Sequence, residues 1–458
     1  MKITVKRAYI FYALIIAFLA GVVFLVASVY LNGEEWATKR ANRHLYSSSN
    51  AVLSAGPIVD IRGEVIADTE NGKRVYNEDD QLRKAVLHVL GDTHGFIYTG
   101  TQSLYRDTLS GYNFVDGIYT LKQNGVGPEL VLNLDTEACK VAYKALGKFN
   151  GAVAVYNYET GQLLCSVSKP TYDLVNKPKD VNTNPAYDGA YLDKVVSGLY
   201  TPGSIMKIIT AACAIENIPD IYDRTFDCNG EYVVTEGQRG IICNDNHKTG
   251  LTFEEAMNKS CNAVFAQIAI ELGAKKLQAT AESMGFNASL YAREVPLKMS
   301  RYKPPVSDKL ELGWAGIGQS TTLVNPCHFL CIMGAIANGG EGYAPDRIFE
   351  MNGLLSSQRG TQVMVSINPE TAAKLDELLR SNIENEYGDD RFPDLEMCGK
   401  TGTAQITGAA SHSWFVGYSQ RDDLPLAVVC VAENAGSGMK TAVNVSNTVM
   451  QYFLDNPY

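Results

Sequence analysis

The stretch that decides the fold reads SGLYTPGSIMKIITAACAIE and occupies residues 197–216. Thr201 is a good N-cap and Pro202 suits the first helical position, so the pattern predicts that a helix begins here. The residues that follow are apolar on nearly every side, which is typical of a buried helix. Ser204 and Lys207 are three positions apart in the sequence and therefore share one face of that helix.

A lysine in the first turn of a buried helix lowers the stability of the fold, so its presence suggests a functional role. We interpret Lys207 as a general base that takes the proton of Ser204. The pKa of its amine must then fall well below the ordinary value of about 10.4. A helix N-terminus supplies only part of that shift. Desolvation and a second nearby cation must supply the rest, and Lys400 is the candidate cation.

A second string, Ser260-Cys261-Asn262, places two polar side chains two positions apart. Such residues diverge on a regular helix but point the same way in an extended segment or a turn. A capping-box signature at Thr252 opens one helix and residues 263–272 form another, so the string is predicted to be the break between them. Ser260 would relay a proton between Lys207 and a leaving amine, and Asn262 would bind a peptide carbonyl.

The third string is Lys400-Thr401-Gly402-Thr403, which precedes a C-terminal hairpin and is predicted to be a strand. Gly402 has no side chain and would let a substrate backbone approach the strand. Lys400, Thr401 and Thr403 would hold a carboxylate. The backbone N–H groups of Ser204 and Thr403 would form an oxyanion hole, a type of group that contributes about 3 to 4 kcal/mol in the transition state.

Each string has an ordinary explanation when it stands alone: a chance Ser-x-x-Lys, a helix cap or a β-turn. Their order and their structural settings favour a common purpose. Together they supply a nucleophile, a base, a hydroxyl relay, an amide and a carboxylate-binding strand. This inventory is what acyl transfer through a serine ester requires, and the ordered set is a known signature of such enzymes.

Composition limits the class of protein. The chain has 458 residues, a net charge of −10 and 46% apolar residues. Its sequence pI is about 5.2, which argues against nucleic acid as a partner. The length predicts two or three domains, each able to form a core of its own.

The N-terminus indicates the compartment. Residues 8–31 carry no charge and as a helix would extend roughly 36 Å, enough to cross a bilayer. Basic residues lie within residues 1–7, and Glu34 and Glu35 follow the run, so the N-terminus is expected in the cytoplasm and the rest outside. A cleaved signal peptide is the alternative, but the apolar run is longer than is usual for one.

The remaining pattern predicts an α+β fold. Two short strands at residues 57–67 and a helix at 136–148 belong to a first, mixed region. Hairpin signals occur near both ends of the second region, and a closing helix is predicted at 442–454. Strands at both ends with helices between them predict an antiparallel sheet flanked by helices. The predicted divisions are a cytoplasmic tail, a transmembrane anchor, a stalk with a small pedestal domain and a catalytic domain, at residues 1–7, 8–31, 32–148 and 149–458.

Ten cysteines are many for an exported chain. Cys228 and Cys243 enclose a turn-rich segment, and a disulfide between them would contribute about 3 kcal/mol. Two reduced thiols are an equally good explanation, since spacing alone does not settle connectivity. No group of cysteine and histidine has the spacing of a zinc site, so neither a metal nor another cofactor is expected.

Beyond the three strings, the chain resembles class B penicillin-binding proteins, which are peptidoglycan D,D-transpeptidases. The resemblance covers most of residues 55–455, and the short pedestal is similar to that of the smaller members. One departure is Cys261, which stands where a small hydroxyl residue is frequent. The further segments that carry the resemblance are residues 57–68, 151–173, 197–216, 316–320, 325–326, 335–340, 399–405 and 412–418.

The resemblance implies a catalytic domain with the fold of the serine β-lactamases. It also implies that Ser204 attacks the penultimate D-Ala of a peptidoglycan stem pentapeptide and releases the last D-Ala. A neighbouring stem amine then takes the acyl group, and β-lactams acylate the same serine. The implied partner is a polytopic membrane glycosyltransferase of the shape, elongation, division and sporulation group.

Two other classes of function use the same residues. One is a membrane-anchored β-lactam sensor, which acylates without turnover and would need a signalling domain or further membrane spans. The other is a serine β-lactamase or a D,D-carboxypeptidase, which passes the acyl group to water. Residues 1–7 offer no signalling domain for the sensor, and the pedestal favours transpeptidation over the transfer to water.

Overall fold

The computed structural model describes residues 2–38, 55–71, 73–110, 127–237, 239–351, 354–355, 360–406 and 408–458. The two longest stretches outside these ranges belong to the predicted stalk and pedestal. They are residues 39–54 of the stalk and residues 111–126 of the pedestal region.

The first element is a long helix, α1, at Lys2–Thr38. Its segment Tyr9–Ser28 is apolar and its side chains are not covered by the rest of the protein. Twenty residues of helix span about 30 Å, the thickness of a bilayer core. Within the described ranges this is the one helix long and apolar enough to cross a membrane. It fits the single-pass anchor predicted at residues 8–31.

The region that follows α1 contains short strands and helices. The predicted pair of strands around Arg62 and Gly63 is confirmed, and the two strands pair antiparallel. The predicted helix at 136–148 is also confirmed, although it ends earlier. The strands are β1 Ile58–Val59, β2 Val65–Glu70, β3 Lys73–Tyr76 and β4 Leu130–Leu132, and the helices are α2 Asp80–Ala85, α3 Leu87–Leu90, α4 Thr101–Leu104, α5 Arg106–Ser110 and α6 Thr136–Ala145.

The larger region alternates a few long elements with many short ones. Its strands are β5 Gly151–Asn157, β6 Leu163–Lys169, β7 Thr225–Cys228, β8 Glu231–Tyr232, β9 Ile241–Ile242, β10 Lys248–Thr252, β11 Tyr291–Ala292, β12 Val295–Pro296, β13 Glu341–Tyr343, β14 Ile348–Met351, β15 Leu354–Leu355, β16 Val363–Ser366, β17 Met397–Ile406, β18 Ala409–Ser419 and β19 Leu426–Ala432. Its α-helices are α7 Lys194–Ser197, α8 Lys207–Asn217, α9 Phe253–Asn258, α10 Asn262–Ser283, α11 Lys309–Gly316, α12 Pro326–Ala337, α13 Pro369–Asn382 and α14 Ala442–Asp455. Single turns of other helix types lie at Pro185–Tyr187, Gly203–Met206, Ile383–Tyr387 and Asp389–Arg391.

The core of this region is a five-stranded antiparallel sheet in the order β17-β18-β19-β5-β6. Strand β5 from the start of the region pairs along its whole length with β19 from the end of the chain. Every residue of these two strands is buried, so both faces of the sheet are covered. Helices α12 and α14 pack on β18 and β19. The predicted α+β fold and the closing helix are confirmed.

A second sheet has six strands in the order β15-β14-β4-β1-β2-β3. Four of them come from the first region, but β14 and β15 come from residues far along the chain. Strand β14 pairs antiparallel with β4, with Ile348 opposite Leu132. The sheet therefore takes strands from both sides of residue 148, where the sequence pattern predicts a domain boundary.

A buried ion pair also joins the two regions. The guanidinium of Arg83 on α2 donates to both carboxylate oxygens of Asp173, at 2.6 and 2.7 Å. Both side chains are almost fully buried. The hydrogen bonds from Arg83 hold the pKa of the Asp173 carboxyl well below its usual range. The ionised pair is therefore the stable form at neutral pH.

We predict that Arg83→Ala lowers the stability of the folded chain by about 3 kcal/mol, because it leaves the Asp173 carboxylate buried and unpaired. The melting temperature of the full chain in detergent is the measurement. The stabilisation is present above the unfolded-state pKa of about 3.9 and is lost as the pH falls towards the lower folded-state value. Arg421→Ala breaks the surface pair with Asp423 and should leave the melting temperature unchanged.

Candidate active site

The predicted nucleophile helix begins later than its sequence pattern indicates. A single 3₁₀ turn, Gly203–Met206, comes first, and the α-helix proper starts at Lys207. The N-cap of the turn is Pro202 and that of the α-helix is Met206, so the predicted cap at Thr201 was wrong. The Thr201 carbonyl instead accepts a hydrogen bond from the indole N–H of Trp414 at 3.1 Å. A tertiary contact with β18 has taken the place of the local cap.

The turn before the helix is set by its close packing against β17. Gly203 has a φ of +57°, and a Cβ at this position would lie 2.9 Å from the carbonyl oxygen of Thr403. A Cβ on Gly402 would lie 2.7 Å from the carbonyl oxygen of Pro202. Both glycines are thus required by the contact between the two backbones. The structural reason for Gly402 differs from the predicted one, which was access for a substrate backbone.

The amine of Lys207 is the centre of the site. Its Nζ lies 3.2 Å from the Oγ of Ser204 and 3.1 Å from the Oγ of Ser260. It lies 2.5 Å from the carbonyl oxygen of Ser260 and 2.8 Å from the Oδ1 of Asn262. The Lys207 side chain is fully buried. The structure therefore brings together four residues that the sequence pattern assigned to one mechanism.

The protonation state of this amine follows from its surroundings. Burial, and then the charge of Lys400, lower the pKa of Lys207 well below its ordinary value. A neutral amine has two hydrogens and one lone pair. The Ser260 carbonyl and the Asn262 amide oxygen can only accept, so they take the two hydrogens. The lone pair is then free to accept a proton from a serine hydroxyl.

The segment Ser260-Cys261-Asn262 is the break between helices that its pattern predicted. Helix α9 opens with a complete capping box at Thr252, and α10 begins at Asn262 with Cys261 as its N-cap. Ser260 has a φ of +51°, a left-handed conformation that turns its carbonyl and hydroxyl towards Lys207. The Asn262 amide N–H₂ donates to the carbonyl of Ile242 at 3.0 Å, which fixes its oxygen towards the lysine.

Lys400 is fully buried on β17 and rests against a residue that no motif indicated, Tyr387. The Lys400 amine donates to the Tyr387 hydroxyl at 3.3 Å, and the N–H of Thr401 donates to the same oxygen at 3.0 Å. Burial alone would raise the pKa of Tyr387, but the Lys400 charge and the hydrogen bonds of Thr401 lower it below its ordinary value. Tyr387 thus positions the second cation of the site.

These groups border a cleft of about 920 Å³. Lys207 and Lys400 lie behind its wall, so their amines are shielded from water. The predicted site residues that line the cleft directly are Ser204, Ser260, Asn262, Thr401 and Thr403. The cleft is therefore a place where a ligand can contact the nucleophile and the strand threonines at the same time.

Of the two explanations weighed for Cys228 and Cys243, the structure shows the reduced thiols. Cys228 and Cys243 are free, so the structure does not contain the disulfide considered for them. The sequence spacing indicated no cysteine–histidine group, and here the structure differs. Cys228, Cys243, His247 and Cys261 meet with all their candidate ligand atoms within 4.8 Å of one another. The short separation of Cys243 and His247 is the signal that sequence reasoning missed.

Comparison with known proteins gives a family match over most of the chain. The family described as penicillin binding protein transpeptidase domain matches residues 151–451. Peptidoglycan D,D-transpeptidase PbpA of Mycobacterium tuberculosis is 29% identical over 313 residues, which are 63% of this chain and 62% of that protein. Peptidoglycan D,D-transpeptidase MrdA of Haemophilus influenzae is 25% identical over 377 residues, which are 72% of this chain and 56% of that protein. The chain thus spans about three fifths of the length of the curated relatives it matches.

Solved structures agree at the level of the fold. The D,D-transpeptidase domain of a peptidoglycan glycosyltransferase from Eggerthella lenta is 26% identical, with a TM-score of 0.72, and the match covers 88% of this chain and 98% of that one. Penicillin-binding protein A from M. tuberculosis, solved as a ceftriaxone acyl-enzyme complex, has a TM-score of 0.75 at 22% identity and the same coverage.

We predict that Lys400→Met moves the pH dependence of Ser204 reactivity to higher pH, because the neighbouring charge no longer disfavours protonated Lys207. The rate of Ser204 modification by a serine-directed phosphonylating reagent, followed by intact mass at a series of pH values, is the measurement. Lys374→Met removes an exposed lysine on α13 and should leave the profile where it is. If the pH midpoint of Ser204 modification were the same in Lys400→Met and in the unmodified chain, Lys400 would not influence the pKa of Lys207.

Proposed function

We propose that this chain, which belongs to the penicillin-binding protein transpeptidase family, is a peptidoglycan D,D-transpeptidase. Membership of the family confirms the resemblance to class B penicillin-binding proteins seen in the sequence. The observation that carries the proposal is the buried amine of Lys207, which is within hydrogen-bond distance of the Ser204 and Ser260 hydroxyls.

The first half-reaction is acylation. Ser204 Oγ attacks the carbonyl of the penultimate D-Ala of a stem pentapeptide, and Lys207 takes the hydroxyl proton. The peptide bond breaks, and the leaving amine of the last D-Ala needs a proton. Ser260 supplies it and is reprotonated by Lys207, to which its hydroxyl is hydrogen-bonded. The lysine returns to its neutral form, so the proton count balances.

The developing negative charge needs donors at a fixed place. The backbone N–H groups of Ser204 and Thr403 are the candidates, because the turn that carries Ser204 packs directly on the strand that carries Thr403. Thr401 and Thr403 line the cleft and offer hydroxyls to the terminal carboxylate of the stem peptide. Lys400, on the same strand but not in the lining of the cleft, adds positive charge nearby.

The second half-reaction passes the acyl group to an amine of a neighbouring stem and forms the cross-link. The same serine would be acylated by β-lactams, whose strained amide stands in for the D-Ala-D-Ala bond. The acyl-enzyme structures of M. tuberculosis penicillin-binding protein A with ceftriaxone and imipenem support this extension to the present chain. Hydrolysis of the acyl-enzyme, as in a β-lactamase or carboxypeptidase, and permanent acylation, as in a sensor, are the competing outcomes.

The location of the chemistry follows from α1. The basic residues before Tyr9–Ser28 and the two glutamates after it support a cytoplasmic N-terminus and an extracellular catalytic region. We take residues 1–7 as tail, 8–31 as anchor, 32–148 as stalk and pedestal, and 149–458 as the transpeptidase domain. The partner implied by the family resemblance is a polytopic membrane glycosyltransferase that supplies nascent glycan strands.

We predict that Ser204→Ala abolishes labelling of the full chain by a fluorescent penicillin. Lys207→Met should slow acylation by about 10² to 10⁴-fold, the usual contribution of a positioned general base. Lys374→Met changes a partly exposed lysine that does not line the cleft, so it is the matched control and should be acylated at the normal rate. Full labelling of Ser204→Ala would show that another residue is the nucleophile.

The fate of the acyl group separates the three functions. We predict that the penicillin adduct persists and that the chain, with a membrane glycosyltransferase and purified lipid-linked precursor, forms cross-linked stem dimers. Ser204→Ala should form none. Rapid loss of the adduct would support a β-lactamase instead, and a persistent adduct without any cross-link would support a sensor.

A further inference from the structure

Four side chains meet beside the catalytic loop, and the mechanism above uses none of them. We call Cys228, Cys243, His247 and Cys261 the cysteine–histidine cluster. The Nδ1 of His247 lies 3.4 Å from the Sγ of Cys243 and 3.6 Å from the Sγ of Cys228. The sulfurs of Cys243 and Cys261 are 3.7 Å apart. The three cysteines are buried, and the histidine is half-buried.

These separations are those of ligands around one tetrahedral metal ion. With Zn–S bonds of about 2.3 Å and Zn–N bonds of about 2.1 Å, a tetrahedron has S–S edges of about 3.8 Å and S–N edges of about 3.6 Å. The three separations given above match these edges, and the remaining pairs of ligand atoms lie within 4.8 Å. A disulfide requires sulfurs at about 2.05 Å, and three cysteines leave one without a partner in any pairing.

The surroundings also suit thiolate ligands. The backbone N–H of Asn262 donates to the Sγ of Cys243 at 3.2 Å, which stabilises a sulfur that has lost its proton. Thiolate and imidazole ligands together favour zinc over magnesium or calcium, which prefer oxygen. Four protein ligands leave no open position, so such a site is structural and not catalytic.

We propose that the cysteine–histidine cluster binds one Zn²⁺ ion, which fixes the catalytic loop in place. Cys228 ends β7, Cys243 follows β9, and Cys261 stands between Ser260 and Asn262. The ion ties the small strands of this part of the chain to the loop that holds Lys207. Its role is to position the Ser260 carbonyl and the Asn262 amide oxygen that orient the lysine amine.

The first test is metal content. The full chain, purified in detergent without chelator, should contain one zinc per chain by plasma mass spectrometry. Cys228→Ala, whose sulfur lies farthest along the chain from the catalytic loop, should lose most of it. Cys139→Ala removes a buried cysteine outside the cluster and should keep the full content. Absence of zinc together with a disulfide among the three cysteines would overturn the proposal, as would equal zinc in both variants.

A second readout does not depend on the variants folding. Exchange of the metal for Co²⁺ should give the visible bands of a tetrahedral ion and an intense near-ultraviolet charge-transfer band from thiolate ligands. A spectrum of an octahedral ion with oxygen ligands, or no thiolate band, would show that the metal lies elsewhere and would overturn the assignment.

The positioning role has its own measurement. Removal of zinc by a chelator should slow the penicillin acylation of Ser204 by at least tenfold and shift its pH dependence, and added Zn²⁺ should restore both. Unchanged acylation in the metal-free chain would overturn the positioning role. Metal content and the cobalt spectrum do not require transpeptidation, so their outcome is separate from that of the proposed function.

Discussion

The site depends on one constraint. The amine of Lys207 has no access to water, so its protonated form is high in free energy. Burial and the nearby Lys400 both disfavour the ammonium form. The carbonyl oxygen of Ser260 and the Oδ1 of Asn262 accept hydrogen bonds from the two hydrogens of the neutral amine. Its lone pair is thereby directed at the serine hydroxyls. In the proposed mechanism this arrangement makes Ser204 reactive, and a looser or wetter site with the same residues would hold an ordinary serine beside an ordinary lysine.

The fold meets this constraint by bringing distant parts of the chain to one place. Ser204 precedes α8, the Ser260 loop joins α9 to α10, and Lys400 lies on β17. The five-stranded sheet makes the meeting possible, since its strands come from both ends of the catalytic region. The approach of the nucleophile turn to β17 is so close that neither Gly203 nor Gly402 has room for a Cβ.

Much of the fold and of the site could be predicted from the sequence. The features that could not be predicted depend on contacts between residues distant in the chain. The hairpins, the closing helix, the capping box at Thr252 and the helix break at Ser260 depend on local patterns, and all are present. The cap at Thr201 was wrong because Trp414, distant in sequence, takes its carbonyl. Tyr387 and the cysteine–histidine cluster were missed because their partners are assembled only by tertiary contacts. Cys261, the departure within a family motif, joins the Ser260 loop to the cysteine–histidine cluster.

The six-stranded sheet has a consequence for dividing the chain. Strand β14 of the catalytic region hydrogen-bonds to β4 of the preceding one. A fragment that starts at residue 149 would lack β4. One edge of β14 would then be exposed, and its backbone amide and carbonyl groups could pair with any extended peptide. Such truncated fragments would then tend to aggregate through this exposed edge, for reasons unrelated to catalysis. In the intact protein the region before residue 149 covers that edge through β4, a protective role separate from any spacing role.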